Sequence, residues 1–169
     1  PRNVARVFPA GPPAAILLYT LAPELLLGWP RANRQEELEF LLPGIGSRPE
    51  VGRITGRGNS ANLEAVLALR PDLIIDSGSL RDTYVELAQR VQQQTGIPYA
   101  VLDGRLPAIP RSYAVLGDLL GRPARARDIE STEAVAHAGV EMSEEHEPAG
   151  QRDQDVPEGS GVCQTVAQS

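Results

Sequence analysis

The stretch from Gly56 to Asp76 does most to limit what this chain can become. It reads as loop, helix, turn and strand in immediate succession. Gly56, Gly58 and Asn59 supply a loop with helix-capping chemistry. Leu63, Val66, Leu67 and Leu69 then fall mainly on one helical face. Arg70-Pro71-Asp72 stops the helix, because proline disfavours helical geometry in the residue before it and cannot donate to the ladder. Leu73-Ile74-Ile75 is a short apolar run of the kind that fills a strand buried on both faces, and Asp76 to Ser79 is expected to leave its end as a polar loop. In an open α/β sheet, ligands bind outside the carboxyl ends of the strands. The stretch therefore predicts both a fold class and the edge where function sits.

The same alternation continues on either side. Arg2 to Phe8 predicts a first strand, Ala14 to Leu21 a helix behind Pro12-Pro13, and Leu25 to Trp29 a second short strand. Asn33 to Leu42 predicts a helix capped by Asn33, with Glu36 completing a capping box. Pro43 to Gly56 is a long irregular loop. Arg81 to Thr95 is the most amphipathic helix, with Asp82 as cap and Tyr84, Leu87, Ala88 and Val91 as its apolar stripe, stopped by Gly96. Pro98 to Leu102 is a strand, Pro110 to Leu120 a helix, and a further helix begins after Pro123. Strands alternating with helices predict an α/β lobe of three layers: a short, mainly parallel sheet with helices on both faces.

The chain changes character beyond this. Through His137 there are 15 Arg and 15 acidic residues; from Ala138 onward there are one Arg and seven acidic residues, so the net charge of −6 lies in the tail. Residues 139–169 are rich in Glu, Gln, Gly, Pro and Ser without periodicity, and disorder is expected there. A domain that runs from a helix into acidic low-complexity sequence looks truncated, whether by a natural tail or by an artefact such as a frameshift. The start at Pro1 fits a processed or trimmed chain. All 16 basic residues are Arg, which reads as coding bias rather than selection. A body of zero net charge argues against nucleic-acid binding, and no apolar run is long enough to span a membrane.

Chemistry-bearing residues are sparse. Cys163 is the only cysteine, and His137 and His146 are the only histidines, at the start of the tail and inside it. A Ser–His–Asp arrangement and a bare-metal site are both disfavoured, and the chain is expected not to be an enzyme. His146 within Glu144–Glu147 offers at most adventitious metal binding. Gly56 to Ala61 matches the Gly-x-Gly-x-x-Gly/Ala loop, and Asp76 lies 20 residues beyond Gly56, the spacing of a ribose-binding acid. That motif needs a buried strand directly before Gly56, and Val51 to Thr55 is a poor one. Polar or aromatic groups recur at every predicted strand end: Gly11 and Pro12, Trp29 and Arg31, Arg57 and Asn59, Ser77 and Ser79, Asp103 and Arg105. Loops are commonly polar, but repetition along one sheet edge favours a ligand cleft with Trp29 facing it.

Several segments occur in a telling order: strand–Pro-Pro-Ala–helix, Leu27-Gly28-Trp29-Pro30, Gly56-Arg57-Gly58-Asn59, Asn62-Leu63-Glu64 through Leu73-Ile74, and Thr95-Gly96-Ile97-Pro98. Over roughly residues 4–137 the chain resembles the amino-terminal lobe of periplasmic substrate-binding proteins of ABC importers, in the class that takes up iron–siderophore complexes, haem and cobalamin. The resemblance implies two α/β lobes joined by one long helix, with the chelate between them. Residues 1–122 would be the amino-terminal lobe, 123–138 the start of the connecting helix, and the second lobe would be missing. It implies that Glu64 docks on permease arginines, although by residue type alone Glu64 reads as a solvated first-turn acid. It also implies a periplasmic or surface-anchored protein without a resident cofactor. Arg31, Arg57, Arg81 and Arg105 would suit an anionic chelate, while haem or cobalamin would lean on Trp29 and Tyr84. Two other readings stand beside it. One is an NAD-type dinucleotide-binding domain using Gly56–Ala61, and the other is an interaction domain whose acidic tail recruits a basic partner.

Overall fold

The structure is a computed structural model that describes residues 4–55 and 62–132. Its centre is a three-stranded parallel sheet in the order β1 (Val7–Pro9), β2 (Leu73–Gly78), β3 (Tyr99–Asp103). Val7 pairs with Leu73, and Ile74 to Gly78 pair with Tyr99 to Asp103. Parallel strands need crossovers, and helices supply them. They are α1 (Pro12–Leu21), α2 (Gln35–Leu38), α3 (Leu63–Ala68), α4 (Asp82–Thr95) and α5 (Ile109–Leu120). Residues 123–132 are also helical.

Side-chain alternation along the strands separates two cores. Val7, Leu73, Ile75 and Leu102 point to one face, where α1, α5 and the helical segment after residue 123 pack with Leu17, Leu18, Leu116 and Ala126. Phe8, Ile74 and Ala10 point to the other, against Val66 of α3 and Val91 of α4. Helices thus cover both faces, giving three layers, as the apolar runs predict. Gly96 and Gly121 close α4 and α5 in the left-handed conformation, at φ 70° and 68°.

Five local expectations are corrected. The segment expected to be a second strand begins as a 3₁₀ turn, Pro23–Leu25, and then makes only single bridges, Leu26 to Val7 and Trp29 to Glu50. A Cβ at Gly28 would lie 2.4 Å from the Pro49 carbonyl oxygen, so the backbones press together there rather than building a ladder. The helix expected from Asn33 is one turn only; Glu37, not Glu36, accepts from the N–H at its start, that of Arg34, at 2.8 Å. Asp82 is the first helical residue of α4, not its cap. Asp76 and Ser77 belong to β2 and are buried, so the strand runs three residues past its apolar core. Tyr84, expected in the buried stripe, is exposed. The tail from residue 139, His137, His146, Cys163 and the loop Gly56–Ala61 with Arg57 and Asn59 lie outside the described residues.

Candidate functional site

Because all three strands are parallel, their carboxyl ends share one edge. β1 delivers Gly11 and Pro12 there, β2 delivers Ser79 and Arg81 through its following loop, and β3 delivers Asp103 and Arg105. The chain around Leu26 bridges Val7 in parallel, so Trp29 and Arg31 arrive at the same edge.

Two zones differ in character. Beside β1 a hollow of about 280 Å³ is lined by Pro12, Ile16, Trp29, Arg31, Glu37 and Phe40, among others. It is mainly apolar, and Phe40 at its rim is 84% exposed. Trp29 contributes to its wall but does not stand free in it. The residue is 4% exposed, Nε1 donates to the Ile45 carbonyl at 2.9 Å, and the ring lies 5.6 Å from Tyr19. Its apolar surface stays out of water while its N–H is satisfied, which is how buried indoles are accommodated. Arg31 is gripped by Glu37 through Nη1–Oε2 at 2.8 Å and Nη2–Oε1 at 2.6 Å. Arg31, with help from the Arg34 N–H, lowers the Glu37 pKa to about 2.

Beside β3 lie two adjoining hollows of about 620 and 630 Å³ that share Leu80, Asp103 and Arg105. Arg111 and Ser112 line the first, and Ser79 and Arg81 the second. Asp103 accepts from Arg105 Nη2 at 2.6 Å, and that partner holds its carboxyl below the usual range. No motif or strand-end position in the sequence singles out Arg111 or Ser112. Their position in the first turn of a helix that starts six residues after Asp103 is the only signal that points to them.

Between the zones, the edge is closed by a polar knot. Asp76, 6% exposed, accepts from Thr55 Oγ1 at 3.1 Å and from the Ser77 N–H at 2.9 Å, with the Tyr99 phenol also bound to it. Burial raises the Asp76 pKa against the pull of these donors, and burial with the neighbouring carboxylate raises that of Tyr99. Thr55 and Ile54 donate their N–H groups to the Ala10 carbonyl, which ties the long loop to the end of β1. Ser77 is buried and its Oγ has no hydrogen-bond partner. Glu64 sits exposed in the first turn of α3, and its N–H bonds Asn62 Oδ1 at 3.0 Å.

This geometry counts against the dinucleotide reading. Residues 51–55 form no strand leading into Gly56, only irregular backbone and bends. Asp76 lies within β2 and is committed to Thr55, so it is not a free ribose-binding acid. Among the described residues no group of three or more His, Cys, Asp or Glu side chains is placed to hold a metal. No described helix is long and apolar enough to cross a membrane.

The fold is thus an α/β lobe that gathers its loops and arginines at one open edge. It is the fold of the amino-terminal lobe of periplasmic solute-binding proteins of ABC importers. No protein-family model matches the chain, and no curated protein matches it. Solved structures do. An ABC transporter solute binding protein from Sulfurospirillum deleyianum is similar at 23% identity and a TM-score of 0.65, over 78% of this chain and 41% of that one. IsdE of S. aureus, complexed with heme, is similar at 20% identity and a TM-score of 0.62, over 85% and 50%. The TroA-like periplasmic binding protein FepB from Veillonella parvula is similar at 24% identity and a TM-score of 0.62, over 87% and 47%. The chain spans about half the length of these structures.

Proposed function

We propose that this chain is the amino-terminal lobe of a periplasmic or surface-anchored solute-binding protein. It captures an iron or cobalt chelate, such as a ferric siderophore, haem or cobalamin, and delivers it to an ABC permease. The observation that carries this reading is the parallel sheet edge, where an apolar hollow and an arginine-lined one lie side by side in a lobe of this fold. Such a receptor performs no chemistry; it needs a concave surface with a few fixed polar groups. The edge is open because half of the cleft belongs to a second lobe. The helical segment after residue 123 starts the connection to that lobe, and residues 1–122 form the body of the first. Pro12, Trp29, Arg31, Arg57, Asn59, Ser77, Ser79, Arg81, Asp103 and Arg105 form or support the chelate-facing side. Glu64, exposed at the start of α3, meets the permease. The heme bound to IsdE of S. aureus supports a chelate of this class.

The test is a calorimetric titration of the receptor that contains this chain and a second lobe. Ferric siderophores, haem, cobalamin and NAD are offered in turn. Saturable binding of one chelate, weakened by more than tenfold in this chain alone, is the expected result. Binding of NAD alone overturns the reading. Glu64→Ala is expected to impair uptake with chelate affinity unchanged; a loss of affinity would move Glu64 from the permease face to the cleft.

A further inference from the structure

The sheet has two flanks, and they are finished differently. Along β1 the Leu27 N–H donates to the Val7 carbonyl at 3.0 Å, and the Ile54 N–H donates to the Ala10 carbonyl at 2.8 Å, so other backbone covers that side. Among the described residues, no strand pairs with the outer side of β3. Which groups face outward follows from the ladder. The Ile74 N–H donates to the Pro98 carbonyl at 2.9 Å, and the Gly104 N–H donates to the Gly78 carbonyl at 2.8 Å. In a parallel pair every second residue of a strand bonds to a given neighbour. Pro98, Ala100, Leu102 and Gly104 therefore turn their main chain toward β2, and Tyr99, Val101 and Asp103 turn theirs away.

The two ends of this outer side are closed by side chains. Gln92 Oε1, from α4, accepts the Tyr99 N–H at 3.0 Å, and Ser112 Oγ, from α5, donates to the Asp103 carbonyl at 2.8 Å. Between them, no hydrogen bond among the described residues reaches Val101 from that side. Val101 is half-buried and lines the hollow of about 620 Å³ together with Leu80, Arg111 and Val115. A strand whose outward main chain is unpaired is a template for another strand, which supplies the missing bonds. The closed ends restrict the incoming segment to a few residues. Charge restricts its chemistry. Asp103 is the only carboxylate lining this hollow and is paired with Arg105, while Arg111 is exposed and forms no salt bridge among the described residues. Leu80 and Val115 are half exposed beside it. A strand presents alternate side chains to opposite sides, so one with carboxylates on one side and apolar groups on the other matches both features.

We propose that the outer edge of β3 is a docking site for an extended, acidic segment of a partner protein, which adds to the sheet as a further strand centred on Val101. The Val101 N–H and C=O make the central hydrogen bonds, Leu80 and Val115 receive apolar side chains, and Arg111 receives a carboxylate. The contact is made along the flank of the sheet and needs neither a chelate nor a second lobe, so it stands or falls apart from the receptor reading.

The experiment titrates this chain with a blocked hexapeptide of alternating Val and Glu and follows amide hydrogen exchange by NMR. At saturation the Val101 amide is expected to exchange at least about tenfold more slowly, while the Ala100 and Leu102 amides, already bonded to β2, are unchanged. N-methylation of one alternate set of peptide amides should abolish binding, and of the other set should leave it intact, because only one set faces β3. A Val–Lys peptide should bind at least about tenfold more weakly than Val–Glu. Arg111→Ala should weaken the Val–Glu peptide by about three- to tenfold. Val101→Pro removes the outward N–H at an edge position, where proline is tolerated, and should abolish binding with the fold retained in a thermal melt. If that variant does not fold, the methylated peptides, which leave the protein untouched, decide. No slowing at Val101 with about 1 mM peptide, or equal loss of binding from both methylated sets, overturns the proposal. Protection of Val101 that grows with chain concentration in the absence of peptide also overturns it, by assigning the edge to a second copy of this chain.

Discussion

At the amino end of the sheet charged side chains are consumed by the backbone, whereas at the carboxyl end two of the described arginines, Arg81 and Arg111, form no salt bridge. The amino end is stitched shut: Asp72 accepts the N–H groups of Ala5 and Arg6 at 2.9 Å each, and Arg6 Nη2 donates to the Leu69 carbonyl at 2.7 Å. These contacts hold the α3–β2 turn, where Arg70 takes a left-handed φ of 47° that a residue with a side chain adopts only at a cost. At the carboxyl end, Arg81 and Arg111 face solvent and the hollows between loops stay open. A charge that satisfies the main chain stabilises the fold and is unavailable to a ligand. A charge without such work marks where a ligand can be recognised.

Ile74, fully buried in β2, is the strongest place to break the comparison, because it supports both ends. Ile74→Ala is expected to cost about 2–5 kcal/mol in denaturant melts, and stability and chelate affinity should fall together. Gly104→Ala acts at the carboxyl end alone. Its Cβ meets backbone on Gly78, so the two loops must part, at about 1–3 kcal/mol by the same melts and with weaker chelate binding. Asp72→Ala is the mirror experiment at the amino end. It should cost about 1–2 kcal/mol and leave affinity untouched in a titration. A drop in affinity there would erase the distinction between the ends.

The smallest effect concerns Asp76, where fold and edge meet. Its folded pKa is raised, chiefly by burial. The stability linked to that shift is present below the unfolded carboxyl value and is lost as pH rises through the raised folded value. Asp76→Asn removes the titration, and its amide oxygen can still accept from Thr55 and the Ser77 N–H. The variant should therefore gain stability relative to wild type between pH 4 and pH 8, in thermal melts at the two values. An unchanged difference would mean that the carboxyl does not titrate in that window.

Much of this fold was legible in residue order. α4, α5 and the α3–β2 unit follow from apolar spacing punctuated by Pro71, Gly96 and Gly121, because those residues end helices for local steric reasons. The span 25–29 was misread because Leu25 to Trp29 has strand-like composition while its pairing is decided by Gly28 pressing on Pro49, 21 residues away. Asp76 and Ser77 were misplaced for a similar reason. Local rules send Asp and Ser to loops, but Thr55 and Tyr99 satisfy Asp76 from distant parts of the chain. At the edge, sequence supplied the strand-end residues. It gave no sign that Glu37 neutralises Arg31, or that Arg111 joins Arg105 across the start of α5. Side-chain pairing of this kind depends on three-dimensional proximity rather than periodicity.

Trp29 has a consequence of another order. It is the only tryptophan in the chain, and its indole is lodged against Tyr19 with its N–H committed to Ile45. Its emission should therefore lie at short wavelength and resist dissolved quenchers such as iodide. A coloured chelate settling at the neighbouring edge would darken it through space, by energy transfer, without contact. This chain thus carries one built-in optical ruler, which would report how near a coloured chelate of the proposed kind settles.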